Sequence, residues 1–166
     1  MRTLSPRGLK WLKLFHLFFA IAWIGSAIGM NMLRHAVTPD GAEEMYMVSL
    51  CIKILDDILI WVGVIGCLVT GIIYGVWTKW GFFKQRWITA KWVLTAVMII
   101  SGTLLVGPAV QGNVQPIEWY STHLAEFAAN QSASAIWGGL QVIILICVLL
   151  LSVFKPIKKK KAKNIG

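Results

Sequence analysis

The sequence predicts an all-α integral membrane four-helix bundle, with both termini cytoplasmic and the second and fourth helices extended on the outer side. Three observations carry this. Four apolar runs, at 11–33, 58–77, 87–106 and 134–154, each reach the ~20 residues a helix needs to cross a bilayer. The chain is 57% hydrophobic and only 14% charged, more apolar surface than one core of this size can bury. The charges also alternate in sign from one connecting segment to the next.

The first helix should begin near Leu9 and run to about Leu33. Arg2, Arg7, Lys10 and Lys13 stand before or at its start. Its apolar run is too long for a cleavable leader, so it reads as a retained span. Pro39-Asp40-Gly41 forms the outer turn, and Glu43 and Glu44 suit the first turn of the second helix. Helical pattern runs from there into the second span, so that helix should project outward.

Lys79, Lys84 and Arg86 separate the second and third spans. The third should end at Val106, because Gly107-Pro108 removes a backbone donor and disfavours helix before it. The polar segment 111–132 follows, with helix formers from Ile117 to Ala129 that extend the fourth helix outward into a small cap. Lys155, Lys158, Lys159, Lys160, Lys161 and Lys163 close the chain in a basic tail, 155–166.

All 7 acids lie on the alternate segments, and the formal net charge is +9. This positive-inside pattern places the basic ends in the cytoplasm and the chain in the cell (inner) membrane as a multi-pass protein. The Lys tail reads as an orientation signal and a contact for anionic lipid, with no nucleic-acid partner. Trp11, Trp77, Trp80 and Trp87 mark one interface and Trp119 and Trp137 the other. At 166 residues the chain is one domain, 1–166. Cys51, Cys67 and Cys147 form no paired framework and read as small hydrophobes.

No phosphate loop, nucleotide fingerprint or nucleophile motif is present. Attention therefore falls on polar groups at membrane depth, which are costly to place there: His16, Lys91, Gln141 and the Asp56/Asp57 pair. His16 shares a helical stripe with Ala20, Trp23, Ala27, Met30 and Arg34. A neutral imidazole facing into a bundle is a ready iron ligand, although a lone histidine in a bundle is more often a hydrogen-bonded packing residue. Lys91 lies at similar depth. It either snorkels to the interface or turns inward to hold a haem propionate or another anionic group.

At the outer end Arg34, His35, His123 and Glu126 form a second cluster if the first and fourth helices are neighbours, with Tyr120 on the face of His123. This is a haem or metal site, or a solvated cap. Met30, Met32, Met45 and Met47 near the same boundary leave copper(I) open. Lys53 with Asp56 and Asp57 reads as a local ion-pair cluster. Gly63, Gly66, Thr70 and Tyr74 share one face of the second helix. That face either packs closely against a neighbour or makes room for a flat cofactor. Gly71-x3-Gly75 and Gly138-Gly139 point to a homodimer.

The pattern His16-x6-Trp23-x-Gly25, on a first helix opening Leu12-Lys13-Leu14-Phe15, resembles the first helix of a group of small bacterial membrane proteins. The group includes the HemJ-type protoporphyrinogen oxidases and the CopD-type copper-resistance proteins. Trp87-x3-Lys91 in the third helix and Thr70-Gly71 in the second are similar too, so the likeness covers three helices. It implies a bundle in which His16 ligates b-type haem and Lys91 belongs to the same site. Two departures separate the chain from HemJ itself: Ile99 to Gly102 contain no histidine, and Arg34-His35 is compressed.

The expectation is therefore a haem b protein with a redox role, exchanging electrons with quinone or a membrane partner. His16, Trp23, Arg34 and Lys91 would contact the cofactor, and His16, His35 and His123 would be the metal-ligating residues. His16 and His35 are about 28 Å apart on a straight helix, so one haem cannot use both. The competing expectations are a HemJ-like oxidase with Lys91 facing a porphyrin carboxylate, and a copper or small-solute transport or partner subunit without haem.

Overall fold

Ser5-Pro6 starts the first helix earlier than expected. The Ser5 side chain accepts the Gly8 N–H at 3.2 Å, and proline at the first helical position gives up a donor that has no partner there anyway. In this computed structural model, which describes residues 4–78 and 81–155, helix α1 spans Pro6–Ala36. Arg2, Lys79, Trp80 and the lysines from 158 onward lie outside the described residues.

Helix α2 runs Ala42–Trp77, α3 runs Arg86–Gly112, the short α4 covers Ile117–Tyr120, and α5 spans Leu124–Phe154. Helices α1, α2, α3 and α5 are each long and apolar enough to cross a membrane, and the described residues contain no strand. The protein is an all-α, multi-pass four-helix membrane bundle. Phe18, Ile21, Leu104 and Ile136 each keep 60% or more of their exposure, an apolar sheath that only lipid can solvate.

Helix α1 packs along α2, and α5 closes the bundle against α1 and α3. Trp23, Ala27, Val64, Met98 and Leu145 form the central core; Met30, Ile52, Val106 and Val110 form a second cluster nearer the acidic end. As expected, α2 and α5 begin at that end well before their apolar runs, at Ala42 and Leu124. There α4 packs on the projecting part of α2 as a small cap.

Two π turns interrupt the spanning helices, Leu55–Ile60 in α2 and Gly102–Val106 in α3. The second overturns the expected break at Gly107-Pro108, because the helical path continues to Gly112. The Gly107 N–H reaches back five residues to the Gly102 carbonyl. This wider turn seats Pro108 at the start of the next helical segment, where proline is tolerated. Such turns re-aim the side chains around them and concentrate at functional sites.

The glycine face of α2 is closed. A Cβ at Gly63 would meet Trp23 at 2.6 Å, and one at Gly66 would meet the Phe19 ring at 2.1 Å. Close packing is thus the role of these residues, and no flat cofactor fits in the α1–α2 seam. Gly71 faces Trp92 and Gly75 faces Phe82, while Gly138 lies against Asn31 and Arg34. The small-residue faces considered for a homodimer are occupied by side chains of the same chain.

Candidate functional site

The polar residues at membrane depth gather in two places. Near the basic end, His16 Nδ1 lies 2.7 Å from Thr70 Oγ1. The Thr70 hydroxyl donates back to the Gly66 carbonyl at 2.6 Å, as Ser and Thr do within helices. With that proton committed, Thr70 Oγ1 accepts from His16 Nδ1–H. The tautomer then carries its lone pair on Nε2. Tyr74 meets the imidazole edge-on at 5.7 Å between ring centres. Lys91, half-buried on α3, is close enough for its charge to act on both His16 and the Cys67 thiol.

The second place is a cavity of about 320 Å³ between the four spanning helices. Trp23 and Arg34 line it, and His16 and Lys91 do not. The four residues expected to share one cofactor thus divide between two sites. Arg34 keeps 8% of its exposure, and none of its three guanidinium nitrogens has a hydrogen-bond partner. Asn31 Nδ2 donates to the Ala27 carbonyl at 2.8 Å, which leaves Asn31 Oδ1 buried without a partner. Both π turns border the cavity, through Asp56 and Ile60 on one side and Gly102 and Thr103 on the other. Gln141 spans α5 to α3, donating to the Met98 carbonyl and to Ser101 Oγ at 3.2 Å each.

The expected outer cluster does not assemble. Arg34 points into the cavity, whereas His35, His123 and Glu126 are exposed. His123 stacks on Trp119 with ring centres 4.8 Å apart and lies 2.7 Å from Thr122 Oγ1. The cause is a break in the helix: α4 ends at Tyr120, and His123 caps α5 instead of sharing a face with Tyr120. Tyr120 is buried and donates to the Asn113 carbonyl, and Asn113 Nδ2 donates to the Phe127 carbonyl at 3.3 Å. The cap is thus a packed structural unit around Tyr120. Met30 is buried in the core while Met32 and Met47 are exposed. Among the described residues, no three His, Cys, Asp or Glu side chains group to hold a metal ion.

Asp56 is the residue whose place the sequence reading missed. Its neighbour Asp57 pairs with Lys53, as the local cluster requires, but Asp56 lines the cavity. It acts electrostatically on Arg34 without forming an ion pair with it. The π turn over Leu55–Ile60 contains both acids, and nothing in the residue pattern announces it. No family model, no curated protein and no solved structure matches this chain. The likeness to the HemJ and CopD groups therefore rests on its short motifs.

Proposed function

We propose that this protein is a b-type haem-binding redox protein of the cell (inner) membrane, its basic end cytoplasmic, with His16 supplying an axial ligand. The observation that supports this most is the His16–Thr70 pair. A ligating histidine commonly donates its other ring N–H to a fixed acceptor, which sets the tautomer and the ring orientation. Thr70 is that acceptor here, and Nε2 is left as the ligand atom.

The donor set suits haem through one imidazole. His35 is 19 positions further along the same helix, and His123 belongs to the cap. The site thus offers one strong axial ligand, on an imidazole that is only partly buried. Lys91, half-buried on α3, would hold an acid group such as a propionate. Haem bound there would supply one-electron chemistry, with quinone or a membrane protein as the partner. Thr70 and Tyr74 orient the imidazole, and the surrounding apolar helices exclude water. A half-buried lysine in the third span supports a second reading, a HemJ-like oxidase in which Lys91 meets a porphyrin carboxylate.

A pyridine haemochrome assay on detergent-purified protein tests the first reading. Haem b near one per chain is expected. Protein that stays colourless after reconstitution with haem overturns it, and turnover of protoporphyrinogen by the purified protein would favour the oxidase.

A further inference from the structure

The second site holds a charge arrangement that haem ligation at His16 does not use. A guanidinium keeps its charge at neutral pH and presents a planar fork of donors matched to two acceptor oxygens. Arg34 offers that fork from a nearly fully buried position with every nitrogen unpartnered. Across the cavity stands a carboxylate, Asp56, whose charge acts on Arg34 with no contact between the two. Asn31 Oδ1 adds a buried acceptor without a donor. The cavity is therefore short of an acceptor at Arg34 and of a donor at Asn31, with the Asp56 carboxylate also on its wall.

Opposite charges on a buried Arg34 and a half-buried Asp56, held apart, are costly unless something lies between them. A void of about 320 Å³, near the lower end of the ~300–1,000 Å³ range of ligand sites, separates these. Much of its remaining wall is apolar and aromatic, with Trp23, Trp61, Val64 and Met98, and Thr103, Gln111 and Gln141 add polar groups. A simple anion would satisfy Arg34 and be repelled by Asp56. A molecule with an acid group, a cationic or hydroxyl donor, and an apolar body satisfies every surface at once.

We propose that this intramembrane cavity binds a small zwitterion on an apolar body, of which α-amino acids with apolar side chains are the simplest class. Arg34 takes the carboxylate, Asp56 and Asn31 Oδ1 take the ammonium, and the side chain lies against Trp23, Trp61 and Met98. The site stands apart from His16, so it holds whether or not haem binds there.

The test is equilibrium binding of radiolabelled L-phenylalanine and L-leucine to the full chain in phosphatidylcholine nanodiscs. Phenethylamine and 3-phenylpropionate, each lacking one charge, serve as competitors. Saturable binding of at least one amino acid is expected, with both competitors far weaker. Arg34→Met and the isosteric Asp56→Asn should each weaken it by about tenfold to a hundredfold, the loss of one charge-assisted hydrogen-bonded contact. Asp56→Asn keeps the cavity's shape and so remains informative if Arg34→Met folds poorly. No saturable binding of either amino acid would overturn the proposal, as would binding that survives both substitutions; a cavity that holds only water gives the first result. His16→Ala should leave this binding unchanged, which separates its failure from failure of the haem reading.

Discussion

The imidazole of His16 and the hydroxyl of Thr70, 54 residues apart in sequence, meet at 2.7 Å across the α1–α2 seam. Thr70 is buried and returns its own proton to the Gly66 carbonyl, so this contact sets which ring nitrogen of His16 faces outward from the seam. Glycine at 63 and 66 makes it reachable, because larger residues there would push the two helices apart.

Thr70→Val keeps the shape of the side chain and removes the acceptor. Haem affinity is expected to fall about 10- to 100-fold, the usual effect of removing a hydrogen bond that orients a metal ligand. The fold should persist, because a β-branched residue still fills the site. Haem titration of the apoprotein, read at the Soret band, checks this.

Gly66→Ala should destabilise the bundle by about 1–3 kcal/mol through overpacking against Phe19. Gly25→Ala is the matched control: a Cβ at Gly25 has nothing within 4 Å, and alanine favours helix by about 0.5–1 kcal/mol. Thermal melting of both variants in one detergent should show the first lowered and the second unchanged or raised.

Pro108→Ala should change stability by less than about 1 kcal/mol, because the π turn before it already relieves the clash that costs ~3 kcal/mol in an ordinary helix interior. A stabilisation near the full interior value would show that the turn does not absorb the proline.

Tyr120→Phe should loosen the cap locally. It leaves the buried Asn113 carbonyl without its donor, at a cost of about 1–3 kcal/mol. Hydrogen exchange should quicken over 113–127 and stay unchanged in the core of α1 and α2.

Most of the architecture was legible because lipid imposes it. The ~20-residue apolar runs and the alternation of basic and acidic segments leave few arrangements other than four spanning helices. The His16 stripe was legible for a similar reason: Trp23, Ala27, Met30 and Arg34 do face the interior, as helical spacing requires. What the pattern concealed was depth and register. Arg34 also reads as a member of an outer cluster with His35, yet its side chain lines the cavity between the helices. Asp56 reads as a surface acid beside Asp57, and the π turn parts the two. Pro108 reads as a helix stop unless the wider turn before it is known. The outer histidine cluster failed for a simpler reason, since a three-residue break separates Tyr120 from α5.

The central claim is that His16 ligates haem, and reduced-minus-oxidised spectra of wild type, His16→Ala, His35→Ala and His123→Ala test it most directly. Sharp b-type bands are expected in wild type and in both outer variants, and none in His16→Ala recovered as folded protein. Bands that survive His16→Ala, or that vanish with His35 or His123 instead, would contradict the account.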